Sequence, residues 1–191
     1  MTMTDTSRPA HDPLAGIDAA IVERARGVRL LLLDVDGVLT DGGLRYDDGG
    51  GEAKTFHVHD GHGLKMLQGQ GLPVGIITSR ESPLVARRAA ELGIKHLFQG
   101  CVDKRVTFST LLQEMGLDAS AVAYVGDDVI DLPVMAGVGL AIAVADGHPE
   151  VRARAHWVTT ANGGRGAVRE ACDLLLTAQG LLGSALAPYL G

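Results

Sequence analysis

The sequence is poor in cysteine and contains no long apolar run. Its two cysteines, Cys101 and Cys172, stand in no CxxC or Cys/His spacing. This disfavours a zinc site or a disulfide framework and indicates buried free thiols in a reducing compartment. No stretch approaches the roughly 18 apolar residues of a membrane span. The first residues lack a basic region followed by an apolar core, so we expect no secretory signal and predict a cytoplasmic protein without membrane contact.

Basic residues are also scarce relative to acidic ones. The chain has 17 Lys and Arg against 23 Asp and Glu, a net charge of -6. Proteins that follow a nucleic-acid backbone usually carry a basic stripe, and the chain has neither a P-loop nor a GxGxxG after a strand. We therefore expect no nucleic-acid partner. A small anionic substrate is compatible with this charge if cationic groups gather at one site.

The length of 191 residues and an apolar content of 46% fit one domain with a sizeable core. Short apolar runs alternate with helical patterns, which predicts an α/β, Rossmann-like parallel sheet flanked by helices. The predicted strands are Leu30–Leu33, Val74–Thr78, Val122–Val125 and Leu140–Val144. The predicted helices are Gly63–Gly71, Pro83–Leu92, Lys104–Met115, Ile130–Ala136, Pro149–Ala153 and Gly166–Gln179. We place a disordered lead at 1–15, one domain at 16–180 and a docked apolar tail at 181–191.

One insertion interrupts the alternation. Between the first strand and the first predicted helix lies GGLRYDDGGGEAKTFHVHD, in which the cluster Asp47–Gly51 has the composition of a tight turn. This predicts a β-hairpin over about 43–60. The segment is too short to form a separate cap domain.

Polar residues follow three of the predicted strands, at the point where each strand ends. They are Asp34 and Asp36 after the first strand, Thr78–Arg80 after the second, and Asp127 and Asp128 after the third. In open parallel sheets the ligand crevice lies beyond the carboxyl ends of the strands. The sequence therefore predicts one polar site built from three strand ends.

The aspartates of this predicted site favour a hard divalent cation. They are Asp34, Asp36, Asp127, Asp128 and Asp131. Buried carboxylates are costly when uncompensated, and an all-oxygen donor set without nearby Cys or His favours Mg²⁺ over zinc. The alternative is that they merely cap helix N-termini, but capping alone does not explain clusters at separate strand ends.

A cation with open positions commonly binds phosphate, which makes phosphoryl transfer the predicted chemistry. Asp34 can act as nucleophile through an aspartyl-phosphate. Asp36 would project to the same side in extended backbone and could serve as general acid and base. Thr78 offers a hydroxyl to the phosphate, and Lys104 could balance the carboxylates. An ordinary strand residue and a solvated surface lysine are the alternatives for these last two.

These pieces, in this order, resemble the haloacid dehalogenase superfamily of phosphatases. The four motifs are DVDGVLTDG, IITSR, Lys104 and GDDVID. The resemblance implies that Asp34 is nucleophile and metal ligand and that Asp36 is the acid/base, binding metal through its backbone carbonyl. It also implies that Asp127 completes the metal site. Asp128 and Asp131 would then lie outside the direct ligands and help to position them.

A closer resemblance is to the capless branch of that superfamily that hydrolyses sugar-acid phosphates such as 3-deoxy-D-manno-octulosonate 8-phosphate (Kdo 8-phosphate). It spans roughly residues 28–180 and includes VARRAAELGI, AYVGDDVIDLPVM and GGRGAVRE. The branch implies a homotetramer in which hairpins pair into a central barrel and neighbours close each active site. It also implies a role in lipopolysaccharide precursor synthesis.

The same resemblance marks candidate substrate-binding residues, which are Ser79, Arg80, Arg88, His59 and Arg165. A guanidinium fork suits the carboxylate of a sugar acid. For Arg88 a solvated helix face is the alternative, and for the segment around Arg165 a helix start with packed glycines.

The motif FHVHDG departs from the branch, whose members often have an Asn and an Arg in this segment, so His57 and His59 stand where contact with the substrate is expected. A protonated histidine can still bind an anion. One alternative function is therefore a phosphatase of a nine-carbon acid, neuraminate or deaminated neuraminate 9-phosphate. A different class of function, a catalytically silent oligomerisation scaffold, is also kept, although the complete set of Asp34, Asp36, Thr78, Lys104 and Asp127 argues against it.

Overall fold

A six-stranded, wholly parallel sheet forms the centre of the structure, a computed structural model that describes residues 13–190. The strand order is β5-β4-β1-β6-β7-β8. The strands of this sheet are β1 Leu30–Leu33, β4 Val74–Ile77, β5 His96–Phe98, β6 Val122–Gly126, β7 Leu140–Ala143 and β8 Trp157–Val158. A separate antiparallel pair is β2 Arg45–Tyr46 and β3 Glu52–Ala53.

Eight α-helices accompany the strands within residues 13–190. They are α1 Ala19–Arg26, α2 Val58–Gly69, α3 Pro83–Leu92, α4 Lys104–Met115, α5 Leu132–Met135, α6 Pro149–Arg154, α7 Ala167–Ala178 and α8 Leu182–Leu190. Short 3-10 turns precede β6 and α5, at Ala119–Ala121 and Val129–Asp131. The predicted α/β fold with a hairpin in place of a cap is confirmed.

The four leucines of β1 are all buried because the strand lies in the middle of the sheet and is covered on both faces. Side chains alternate along a strand, so Leu31 and Leu33 pack into a core layer with helices α1, α2, α3, α7 and α8. Leu30 and Leu32 point the other way, into a layer formed with α4, α5 and α6. Both faces of β1 are thus fixed by packing.

The point between β1 and β6 is where the chain changes the direction in which it adds strands to the sheet. The chain runs from β1 outward to β4 and β5 on one side, and from β6 outward to β7 and β8 on the other. In parallel α/β sheets such a switch point opens a crevice at the carboxyl ends of the two strands. The residues that follow β1 and β6 therefore occupy this crevice.

Several predicted element bounds differ from those observed. Helix α2 begins at Val58 rather than Gly63, so the predicted hairpin segment ends in extended chain and the first turn of this helix. The predicted helix Ile130–Ala136 is a 3-10 turn followed by the short α5, in which Pro133 lies in the first turn. The short strands β5 and β8 and helix α1 were not predicted. Strands β5 and β8 have only three and two residues, too few to show the alternation of side chains that identifies a strand.

The predicted lead and tail of the chain can be compared with the structure over residues 13–15 and 181–190. Residues 1–12 of the predicted lead lie outside the described residues, and Leu14 packs partly buried against the core. The apolar tail forms α8, whose Leu182 and Ala185 are buried in the same core layer. No single helix in residues 13–190 is long and apolar enough to cross a membrane. Joined end to end, α7 and α8 would be long and apolar enough, but the two helices are bent by 109° relative to each other.

Candidate active site

Asp34 and Asp127 lie side by side because the strands that precede them are neighbours. Leu33 of β1 is in register with Val125 of β6, and the amide of Asp34 donates a hydrogen bond to the carbonyl of Val125 at 3.0 Å. One carboxylate oxygen each from Asp34, Asp127 and Asp131 lie within 4.8 Å of one another. We call these three residues the carboxylate cluster. The predicted convergence of strand ends is confirmed for Asp34 and Asp127, and Asp131 joins them from the following 3-10 turn.

Lys104 is the cation of this cluster. It is the first residue of α4, just after the N-cap Asp103, and it is only 3% exposed. Its Nζ lies 2.8 Å from Oδ1 of Asp34 and 2.7 Å from Oδ1 of Asp131. Burial disfavours the ammonium, but the two adjacent carboxylates outweigh it and raise the pKa of Lys104. Lys104 is therefore a buried charge partner and not a solvated surface lysine.

Asp131 uses both carboxylate oxygens to organise its surroundings. Oδ1 accepts hydrogen bonds from Lys104 and from the hydroxyl of Tyr124, the latter at 2.7 Å. Oδ2 accepts from the backbone amides of Asp127 at 3.0 Å and of Asp128 at 3.3 Å. With its oxygens so occupied, Asp131 is suited to hold Lys104 and the Asp127 turn in place rather than to ligate a metal directly.

Asp127 has the environment of a metal ligand. Its Oδ1 is buried and has no hydrogen-bond partner among the described residues. Burial, followed by the neighbouring carboxylates, raises the pKa of Asp127 to about 8, and burial with Asp131 raises that of Asp34 to about 6. A divalent cation between the carboxylates of Asp34 and Asp127 would give Asp127 its missing partner and allow both carboxylates to be ionised. The residues present therefore fit a metal.

Glycines bring the surrounding loops close to the carboxylates. Gly37 has φ +98°, and a Cβ on it would overlap the Asp127 carboxylate. A Cβ on Gly163, in the loop before α7, would likewise overlap the carbonyl oxygen of Gly37. The glycine-rich loop is thus packed against the turn that follows β1, as one of the two sequence interpretations predicted.

Asp36 does not lie in extended backbone, so that sequence prediction is wrong. The chain turns directly after β1, and the carbonyl of Val35 accepts hydrogen bonds from the amides of residues 38–40. The Asp36 carboxylate consequently contacts different groups from those around Asp34. It pairs with Nζ of Lys54 and lies 3.7 Å from Nε of Arg80.

Those contacts continue into a closed ring of alternating charges. Glu52 lies 3.5 Å from Nζ of Lys54 and accepts a 2.9 Å hydrogen bond from Arg80. We call Asp36, Lys54, Glu52 and Arg80 the charge ring. Ser82 also donates to Glu52 at 3.1 Å. The ring joins the turn after β1, the strand β3 and the segment after β4.

The segment after β4 contains three residues predicted to contact the substrate, Thr78, Ser79 and Arg80. Thr78 is buried, and its hydroxyl accepts a 3.4 Å hydrogen bond from the amide of Arg80. Ser79 is exposed and lines a shallow cavity of about 360 Å³ together with Lys104. Arg80 reaches both Glu52 and, at 3.4 Å, the hydroxyl of Tyr46 in β2.

The structure does not bring the other predicted residues into contact with the carboxylate cluster within residues 13–190. Arg88 lies over the ring of Phe56 at 5.7 Å and pairs with Glu91. The exposed His59 packs edge-on against His57, with ring centroids 5.0 Å apart. Arg165 is exposed and lies 3.1 Å from Asp41.

The side chain of Asp128 is exposed and caps the following turn through a 2.7 Å hydrogen bond from Val129. Only the backbone amide of Asp128 contacts the carboxylate cluster, through Asp131.

Sequence reasoning missed three polar residues of the site, Lys54, Glu52 and Tyr124. A hydroxyl within an otherwise aliphatic strand was the available signal for Tyr124. For the other two there was none, because their partners outside the hairpin lie between 18 and 30 residues away in the chain. Sequence reasoning also missed Asp60, which is buried in α2 and accepts a 2.8 Å hydrogen bond from the amide of Arg169.

Comparison with known proteins agrees with this geometry. Residues 92–171 match the family described as haloacid dehalogenase-like hydrolase. The chain is 51% identical over 169 residues to the 3-deoxy-D-manno-octulosonate 8-phosphate phosphatase of Escherichia coli strain K12, covering 88% of this chain and 90% of that protein.

Solved structures give the same picture. The phosphatase of that name from Moraxella catarrhalis, described as a complex with magnesium, phosphate and Kdo, superposes with a TM-score of 0.87 at 42% identity, covering 88% of this chain and 97% of the other. A hypothetical protein from Xanthomonas campestris gives a TM-score of 0.92 at 44% identity, covering 96% and 100%.

Proposed function

This chain belongs to the haloacid dehalogenase-like hydrolases, in the family of the Kdo 8-phosphate phosphatases, and we propose that it hydrolyses Kdo 8-phosphate to Kdo and inorganic phosphate. The observation that carries this proposal is the buried cluster at the ends of β1 and β6, with Lys104 bridging Asp34 and Asp131. A silent scaffold has no need of such a costly buried arrangement. The reaction would supply Kdo to lipopolysaccharide precursor synthesis.

The cofactor is Mg²⁺. The carboxylates of Asp34 and Asp127, with the backbone carbonyl of Asp36, are the groups that would hold it. The orphaned Oδ1 of Asp127 and the all-oxygen donor set support this assignment. When bound, the cation neutralises phosphate charge that the carboxylates would otherwise repel.

The reaction proceeds in two displacements in this proposal. Asp34 attacks phosphorus, the ester P–O bond breaks, and the leaving sugar oxygen takes a proton from the Asp36 carboxyl. Water then attacks the aspartyl-phosphate, giving up its proton to the Asp36 carboxylate, and the P–O bond to Asp34 breaks. Lys104 keeps Asp34 oriented through their 2.8 Å contact. Thr78 and the amides after β4 bind the phosphate oxygens.

Recognition of the sugar acid is assigned to the arginines. Arg80 stands at the crevice, and its guanidinium can leave Glu52 for the substrate carboxylate. Ser79, the residue before it, lines the cavity that Lys104 also lines. Arg88, His59 and Arg165 are more distant candidates, and in the proposed tetramer they would act at a site shared between subunits.

The hairpin supports a homotetrameric assembly as part of this proposal. Its strands contain only two residues each, and Leu44 and Tyr46 expose 48% and 65% of their surface. Exposed apolar residues on an unpaired hairpin are typical of an association surface. Light scattering at micromolar concentration tests this, and a clean monomer would contradict it. The buried free thiols Cys101 and Cys172 support a reducing compartment, the cytoplasm.

Phosphate release from a panel of sugar-acid phosphates, with Mg²⁺ and with a chelator, tests the proposed function. We expect the highest kcat/KM on Kdo 8-phosphate and no turnover under chelation. A higher kcat/KM on neuraminate 9-phosphate or its deaminated analogue would overturn the proposed substrate and favour the nine-carbon acid. If no phosphate is released from any of these substrates with Mg²⁺ present, the result would favour the silent scaffold over the phosphatase.

A further inference from the structure

We infer that Lys54 is a positioning residue for the general acid and base Asp36. This inference rests on the proposed function and extends it to a residue outside the four sequence motifs. Lys54 follows β3 by one residue, at the base of the hairpin, and its side chain is only 1% exposed.

Burial of this lysine needs an explanation, because an ammonium is rarely removed from water unless it is paired. Its anionic partners within residues 13–190 are Asp36 and Glu52. Asp36 is in direct contact with Nζ, whereas Glu52 lies at 3.5 Å and is itself hydrogen-bonded to Arg80 and Ser82. The main partner of the buried charge is therefore Asp36.

Asp36 in turn has few other groups to hold its side chain. The turn fixes its backbone, but the carboxylate is 18% exposed, and its second cation, Arg80, lies beyond hydrogen-bond distance at 3.7 Å. Arg80 is also the residue assigned to the substrate. Once Arg80 moves to a substrate carboxylate, Lys54 is the cation that still orients Asp36.

The two buried lysines thus serve different carboxylates of the same turn. Lys104 contacts the nucleophile Asp34, whereas Lys54 contacts the acid/base Asp36. Loss of Lys54 should therefore affect proton transfer rather than attack on phosphorus. A substrate whose leaving group needs no proton separates these two effects.

The test is kcat/KM of Lys54→Met on Kdo 8-phosphate and on p-nitrophenyl phosphate. The sugar leaves as a basic alkoxide and needs the proton, whereas p-nitrophenolate leaves without it. We expect a loss of about 10²-fold on the sugar phosphate, the range of general acid catalysis, and a change within about threefold on p-nitrophenyl phosphate. The second substrate also reports that the variant is folded.

Matched controls sharpen the result. Lys65→Met, at an exposed position of α2, should leave both values unchanged. Lys54→Arg keeps a cation beside Asp36 and should recover part of the loss. In an Asp36→Asn background, Lys54→Met should cause no further loss, because the two residues act as one unit.

Equal losses on both substrates, or a full additional loss in the Asp36→Asn background, would overturn the inference by showing a general structural role. Failure of the wild-type enzyme to release phosphate from Kdo 8-phosphate is a different outcome. It would overturn the proposed function and, with it, the premise for Lys54.

Discussion

The carboxylate cluster and the charge ring surround the same turn after β1, but they differ in burial and in the elements that hold them. The cluster rests on the ends of two adjacent core strands and on a buried lysine at a helix start. The ring joins that turn to an exposed hairpin with strands of two residues. The first is held by the sheet itself, and the second depends on contacts between distant segments. We expect the cluster to control the chemical step and the ring to control substrate choice and proton delivery.

Substitution of the nucleophile should have the largest effect. Asp34→Asn removes the attacking oxygen but keeps the shape, so we expect kcat to fall at least about 10⁴-fold while the thermal unfolding temperature does not decrease. Phosphate release and calorimetry check both parts. Asp118→Asn, at an exposed position, is the control and should be silent. Retained activity in Asp34→Asn would remove the nucleophile assignment.

Loss of the cluster's cation should come next. Lys104→Met leaves Asp34 and Asp131 without their shared partner, so we expect about 3 kcal/mol less unfolding free energy. We also expect kcat to fall about 10²-fold. Urea unfolding with steady-state kinetics measures both, and Lys95→Met is the exposed control. A variant as stable and active as the wild type would show that the cluster does not depend on this charge.

A change at Arg80, the member of the ring assigned to the substrate, should act mainly on binding. Arg80→Gln removes the guanidinium assigned to the substrate carboxylate, so we expect KM for Kdo 8-phosphate to rise about 10-fold or more, with a smaller change in kcat. The exposed Arg87→Gln is its control. If KM stays constant while kcat falls, Arg80 belongs with the chemical step and the comparison between the two regions fails.

The smallest effect should be the dependence on pH of the stabilisation that Mg²⁺ gives to the fold. Burial and the neighbouring carboxylates raise the pKa of Asp127 from 3.8 to about 8 in the metal-free fold, so its contribution to stability is full below about pH 4 and is lost progressively as pH rises to about 8. Mg²⁺ favours the ionised form and offsets that loss.

The rise in unfolding temperature caused by Mg²⁺ should therefore grow from pH 6 to pH 8, and Asp127→Asn should reduce this growth. Differential scanning calorimetry measures it. A metal-induced rise that is constant or larger at pH 6 would contradict the titration of the cluster.

The same contrast explains how much the sequence could predict. Asp34 and Asp127 were placed together because each follows a recognisable strand and parallel strands align their ends. Lys104 was added because it begins a predicted helix, and Asp131 because it belongs to the motif GDDVID. The end of β1 at Leu33 was predicted, but the turn after it was not, because the alternation of extended backbone was taken to continue as far as Asp36. Neither Lys54 nor Glu52 could be found, because their role depends on how the hairpin folds back over the crevice.

The central claim is that Asp34 receives the phosphoryl group. Rapid acid quenching of the Mg²⁺ enzyme during turnover of Kdo 8-phosphate, followed by borohydride reduction and peptide mapping, tests it directly. We predict a reduced side chain at Asp34 in the wild type and none in Asp34→Asn. Reduction at Asp36 or Asp127 instead, or no reduced aspartate in samples that release phosphate rapidly, would contradict the account.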